Sequence, residues 1–364
     1  MSKKILIYLS KFSIGGAEKS TIKLCNELAS LDYKVTVLNR VSSGDLSYKL
    51  NKKVKTISIF KRDVSSTIDK IFYLNLKGLA TLFIANFDIF ATQRVNFPTF
   101  LKLLPVKKKV CWIRHTVTKE SSINLKKNLK YFDRFICVSN ASANSFNNFF
   151  KEYKEKSRVL YNFLGKHEIK NLSLENKPTE LDNKSNKLNL VTVSRLSAHT
   201  KQFDLIIDSA KLLLEKEIDF AWFILGDGEY RKKLEQKIID SKLSNFVFLL
   251  GKKINPYPYF KYSDLVVHLS SHEGLCGVIN EAKILGKAVL ASNIPSIREQ
   301  ITHKKNGYLT DNIASNVFES LCEIINSKSV LESISNNYLP DEILDDQAKR
   351  SKLDNILVEV MHEK

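Results

Sequence analysis

Short apolar runs alternate along this chain with stretches whose apolar residues recur at helical spacing. Lys4-Ile5-Leu6-Ile7-Tyr8-Leu9 reads as a buried strand and Ser10 to Gly16 as a loop. Ala17 to Leu31 places Ile22, Leu24, Leu28 and Leu31 on one helical face, and Val35-Thr36-Val37-Leu38 is the next strand. That βαβ unit signals a parallel sheet covered by helices. The pattern continues through strands at 54–59, 88–91, 110–113, 135–138 and 158–161, with helices expected around 66–86 and 141–150.

Gly165 to Lys187 breaks the rhythm with Pro178, several Asn and Lys, and little periodicity. A second alternation follows: strands 188–193, 221–225, 247–250, 265–269 and 288–291, with helices 204–216 and 229–240 among them. The pattern therefore predicts an α/β chain of two Rossmann-like domains, 1–165 and 188–340, joined by a linker at 166–187. A final helix at 341–364 has no domain that spacing alone assigns it to. Doubly wound sheets bind ligands at the carboxyl ends of their strands, so both domains are expected to aim loops at a shared cleft.

Charge changes this picture. Of the net +18, residues 1–165 hold 30 Lys and Arg against 11 Asp and Glu, while 166–364 hold 27 against 28. The basic excess belongs to the first half, which is expected to face an anionic surface or substrate. Cys25, Cys111, Cys137, Cys276 and Cys322 are scattered without a CxxC pair, which predicts free thiols in a reducing compartment. No secretory signal is visible, and the apolar stretch 71–92 is interrupted by Asn75, Lys77, Asn86 and Asp88, too polar to span a bilayer.

Candidate chemistry concentrates after the run Leu265-Val266-Val267-His268-Leu269, in Ser270-Ser271-His272-Glu273-Gly274-Leu275-Cys276-Gly277-Val278-Ile279-Asn280-Glu281-Ala282-Lys283. Glycines before a helix let a ligand approach the backbone, and first-turn N–H groups favour an anion. Glu273 in the loop and Glu281 one turn into the helix suit a ligand with phosphate in the middle and hydroxyl-bearing rings at each end. Arg195 and Lys201, after the strand at 188–193, add two cations able to neutralise a diphosphate. Asp227-Gly228-Glu229 sits at a strand-to-helix turn and reads as capping, and Gly226-Asp227-Gly228 lacks the third glycine of a dinucleotide fingerprint.

Arg195 with Lys201, Leu225-Gly226-Asp227-Gly228-Glu229, Phe248-Leu249-Leu250-Gly251, Asn255-Pro256-Tyr257-Pro258-Tyr259 and Glu273-Gly274 with Glu281 together resemble the retaining, metal-independent nucleotide-sugar glycosyltransferases of family 4, of the bacterial surface-polysaccharide type. Gly15-Gly16-Ala17-Glu18 extends the resemblance to the first domain. It implies the GT-B fold, with no metal and no cofactor. It also implies that Arg195 and Lys201 hold the donor diphosphate, Glu281 the ribose, and catalytic Glu273 with the backbone of Gly274, Leu275, Cys276 and Gly277 the sugar. Gly16 would close on the phosphates, and Lys252, Lys253 and Ile254 would lie near the nucleobase. His115, after the strand at 110–113, would act near the acceptor, while its neighbour Arg114 offers an alternative site for an acceptor phosphate. Five residues separate Arg195 from Lys201 where the family usually has four, which leaves open whether His199 also reaches the diphosphate.

The expected activity is transfer of a sugar from a UDP-linked donor to a glycan acceptor, lipid-diphosphate-linked, at the cytoplasmic face of a membrane. Lys49, Lys52, Lys53, Lys55, Lys61, Arg62, Lys107 to Lys109, Lys126, Lys127 and Lys130 would dock on anionic lipid, with Phe72, Leu76, Leu79, Phe83 and Phe87 as an apolar wedge. A nucleotide-sugar epimerase on the same fold is one alternative. A basic nucleic-acid-binding protein is another, but no recognition motif supports it and nucleic acid is not an expected partner.

Overall fold

The computed structural model describes residues 2–13, 15–41, 44, 46–62, 73–93, 97–182, 188–198, 200–336 and 339–363. The chain forms two compact units, 1–163 with 345–364, and 164–344. In the first, seven parallel strands run β1 (Lys4–Leu9), β2 (Lys34–Val41), β3 (Lys55–Phe60), β4 (Ile89–Thr92), β5 (Lys108–Ile113), β6 (Arg134–Cys137) and β7 (Ser157–Val159), ordered β3-β2-β1-β4-β5-β6-β7. Helix α1 (Gly16–Ser30) crosses from β1 to β2 and buries Ile22, Leu24, Cys25 and Leu28 against the sheet. Strands covered on both faces must be apolar throughout, which is why these segments read as continuous runs.

The helix expected around 66–86 is described from residue 73 onward, as α2 (Leu76–Ile84); residues 63–72, including Phe72, lie outside the described residues. Of the expected wedge, Leu76 and Phe83 are exposed, but Phe87 is core and Leu79 packs against it. Ile84 and Leu103 add exposed apolar surface. Helix α3 (Lys119–Leu129), between β5 and β6, starts at a capping box formed by Thr118 and Ser121, and turns Ile123, Lys126 and Lys127 outward. Helix α4 (Asn140–Phe149) follows β6.

The second unit repeats the plan with six parallel strands: β8 (Leu188–Val193), β9 (Phe220–Leu225), β10 (Val247–Gly251), β11 (Leu265–His268), β12 (Ala288–Ser292) and β13 (Tyr308–Thr310), ordered β10-β9-β8-β11-β12-β13. The strand order reverses between β8 and β11, the crevice where such sheets take ligands. The polar segment expected as a linker carries helices α5 (Lys166–Leu172) and α6 (Thr179–Asp182) and belongs to this unit, which continues with α7 (Phe203–Glu215), α8 (Arg231–Asp240) and α9 (Tyr257–Tyr262).

The end of the chain is a short helix at 341–344 and a longer one at 346–362, the latter part of the first unit. Its apolar face buries Leu353, Ile356, Leu357 and Val360. Charge fixes it further: Arg350 pairs with Glu27, Lys349 donates to the Asn162 carbonyl at 3.0 Å, and the fully buried Arg134 meets Glu363, with Glu359 at 3.9 Å. Replacing Glu359 and Glu363 together by Ala leaves the buried Arg134 guanidinium without a carboxylate, with only the Glu155 carbonyl at 3.5 Å to accept from it among the described residues. Thermal or denaturant unfolding should then show the first unit weakened by roughly 2 kcal/mol, below the fully buried case because both carboxylates keep contact with water.

Candidate active site

The loops after β8 and β11 are tied together in the second unit. The Thr200 carbonyl accepts from the Ser271 N–H at 2.9 Å and from the Ser270 hydroxyl at 2.9 Å. Thr192 on β8 donates to the Val267 carbonyl on β11 and accepts from buried Trp222. The loop after β9 closes against Ser194: Gly226 has φ +145, and a Cβ there would lie 1.8 Å from the Ser194 carbonyl oxygen, so only glycine fits. The Asp227 carboxylate accepts from the Gly228 N–H at 2.8 Å, a local turn role that matches its reading from sequence.

These ties bring Lys201 and Glu273 into direct contact. Glu273 Oε1 pairs with Lys201 Nζ and also meets His268 Nε2 at 2.8 Å. His268 ends β11 and is 2% exposed. Burial, then the Lys201 charge, hold its pKa below the ordinary value, so the ring is neutral and Nε2–H is the donor to the carboxylate. Burial alone would raise the Glu273 pKa, but the His268 hydrogen bond and the Lys201 charge outweigh it and bring it to about 2. The carboxylate is therefore ionised throughout the physiological range.

Arg195 is exposed and, among the described residues, unpaired; His199 lies outside them. Lys201, expected to hold a diphosphate, is paired with Glu273. Helix α10 (Gly277–Ile284) starts at the glycine loop, and space is open above Gly277. Gly274, Leu275 and Cys276 are buried. The Cys276 N–H, however, is taken by Gln300 Oε1 at 3.1 Å, and Gln300 Nε2 returns to the Cys276 carbonyl and to Asn280. One amide of the expected cradle is thus already engaged. Glu281 stands in the second turn of α10, where the hydroxyl of buried Tyr257 donates to Oε1 at 3.4 Å.

Lys253, expected near a nucleobase, is held by Glu180 on α6 at 2.8 Å, while Lys252 and Ile254 are exposed beside it. In the first unit, Gly16 opens α1 with free space where a side chain would start, and His115 is exposed just after β5. Arg114 donates to Asn162 Oδ1 at 2.8 Å and to the Ser20 hydroxyl, so it is an internal tie rather than an open phosphate site.

His268 and Gln300 are site residues that motif reading missed. A histidine closing an otherwise apolar strand, five residues before Glu273, was the available signal for the first; Gln300 gave none. His268, Glu273 and Cys276 also bring one nitrogen, one oxygen and one sulfur within 4.8 Å of one another. Lys201 already neutralises the shared carboxylate oxygen, and burial drives the Cys276 thiol pKa upward, so this donor set suits an ion pair better than a cation.

Two family models divide the chain much as the structure does. The description "Glycosyltransferase Family 4" matches residues 14–164, and "Glycosyl transferases group 1" matches 174–338. The chain belongs to the GT-B glycosyltransferases. Among the relatives of this glycosyltransferase, an uncharacterized glycosyltransferase of Methanocaldococcus jannaschii is 31% identical over 45% of the chain and 40% of that protein. A poly(ribitol-phosphate) alpha-N-acetylglucosaminyltransferase of Staphylococcus aureus is 30% identical over 40% of the chain and 32% of its own length. The chain thus spans less than half the length of these two curated relatives. Its fold matches that of Anabaena HepE, solved with UDP-glucose, at a TM-score of 0.78 and 20% identity, covering 98% of this chain and 99% of the other. It also matches S. aureus TarM at 0.76 and 15% identity, covering 100% and 99%.

The depressed Glu273 pKa has a defined sign. A carboxyl with a folded pKa below its ordinary 4.5 contributes stability that is complete above that value and is lost as pH falls toward 2. Melting of the second unit at pH 5 and pH 3 should therefore separate more widely in the wild type than in Glu273→Gln; equal acid sensitivity would place the carboxylate outside this network.

Proposed function

We propose that this glycosyltransferase moves a sugar from a UDP-linked donor to a glycan acceptor with retention at the anomeric carbon and without a metal ion. The observation that carries the reading is the convergence of Lys201, Glu273 and the start of α10 at the β8/β11 reversal, with Arg195 on the adjoining loop and Glu281 one turn further. Glu281 takes the ribose hydroxyls. Arg195 and Lys201 offset the charge that accumulates on the departing diphosphate, and the dipole at the start of α10 acts in the same direction. The ionised Glu273 supports positive charge at the anomeric carbon as the bond to the diphosphate breaks.

UDP-glucose in HepE supports the donor class, and the S. aureus relative named for an alpha-N-acetylglucosaminyl linkage supports retention, since UDP-glucose is itself an alpha-glycoside. The basic first unit is assigned to an anionic, lipid-diphosphate-linked acceptor at a membrane surface. There Leu76, Phe83, Ile84 and Leu103 are exposed, Leu76 next to Lys77 and Leu103 next to Lys102 in the chain, and no helix among the described residues is long and apolar enough to cross a membrane. Binding through lysines to anionic lipid is worth about 1 kcal/mol per charge and is screened by salt.

Glu273→Gln should lower transfer by about 10²–10³-fold with UDP binding retained, whereas Glu281→Ala should weaken UDP binding itself, both read by calorimetry and product assay. Near-normal transfer by Glu273→Gln removes the central assignment, and strict loss of activity in EDTA removes the Arg195 and Lys201 account. Flotation with anionic vesicles should be lost between low and high salt; salt-independent binding, or none, argues against membrane docking.

A further inference from the structure

Glu273 Oε1 carries two donors, while no described residue bonds Oε2. The Glu273 side chain is 15% exposed, so a small part of it reaches the surface, whereas His268 is sealed beneath. The two donors differ in freedom. Lys201 sits on a loop, is 20% exposed and ends a flexible stem, so an arriving diphosphate competes for it. His268 is fixed on β11 between β8 and β12, and among the described residues its ring has no other hydrogen-bond partner, Nδ1 being buried and unpaired. We propose that His268 is the positioning residue of this site: its Nε2–H holds Glu273 Oε1 when Lys201 turns to the donor diphosphate, and so keeps Oε2 presented to the sugar. The inference rests on the transferase reading of Glu273.

Without His268 the carboxylate would follow Lys201 or rotate freely once the donor binds. The loss would then fall on the chemical step and leave donor affinity intact. A purely structural histidine would give another pattern, in which stability falls and kinetics follow the folded fraction.

Two measurements on the full chain separate this inference from the function it rests on. The first is ¹⁵N NMR of histidine-labelled protein, with His268 assigned by its loss in His268→Gln, recorded with and without UDP. The expected result is a neutral ring protonated at Nε2 in both states. A ring protonated at Nδ1, or an imidazolium, overturns the proposal whether or not the chain transfers sugar. The second is steady-state kinetics with a UDP-sugar donor. His268→Leu should lower kcat about 10- to 100-fold, the worth of one hydrogen bond to a charged group, with donor KM within about threefold. His268→Gln, which keeps an N–H donor, should recover much of that loss. A near-normal kcat in His268→Leu, or the same kcat in both variants at equal melting temperature, overturns the positioning role. A wild-type chain that binds UDP but transfers no sugar counts against the transferase reading, and the NMR measurement then decides His268 alone.

Discussion

One carboxylate oxygen shared by a lysine and a histidine is the contact on which the chemistry proposed for the second unit depends. Glu273 is costly to bury as an anion, and the site tolerates it because Lys201 and His268 both converge on it. The strand order makes that convergence possible. Because the sheet reverses between β8 and β11, the loops carrying Lys201 and Glu273 emerge side by side, and Thr200 and Ser271 lock them at hydrogen-bonding distance. The same reversal leaves a crevice for a ligand without cutting a cavity into the core.

Much of this was legible in the chain. Parallel strands buried on both faces are written as unbroken apolar runs, so β1, β8 and β11 could be read almost residue for residue. Glu273 and Glu281 stand out because they flank a glycine-bearing helix start, and Arg195 and Lys201 because they add two cations after another strand of the same sheet. Other features were silent for physical reasons. At three residues, β13 is too short to set a period, and α3 is polar enough to resemble a loop. The placement of the last helix rests on Arg134, Arg350 and Lys349 meeting partners elsewhere in the chain, and no local pattern encodes such pairings.

The structure sharpened the site in two ways. Lys201, which the family resemblance assigned to the diphosphate, faces Glu273, so the proposed donor must share it rather than find it free. Gln300 occupies the Cys276 amide, and the Val278 and Ile279 N–H groups are directed at the Cys276 thiol, so the expected anion cradle is largely engaged from within. Both corrections come from side chains distant in sequence that fill hydrogen-bonding capacity a motif leaves open.

The most direct test of the central claim is a crystal structure of the full chain with a UDP-sugar bound. The account predicts the ribose hydroxyls on Glu281, the diphosphate over the start of α10 within reach of Arg195 and Lys201, and Glu273 still bonded to His268 beside the sugar. A nucleotide bound away from the β8/β11 crevice, or one whose ribose and diphosphate leave Glu281, Arg195 and Lys201 untouched, would contradict it.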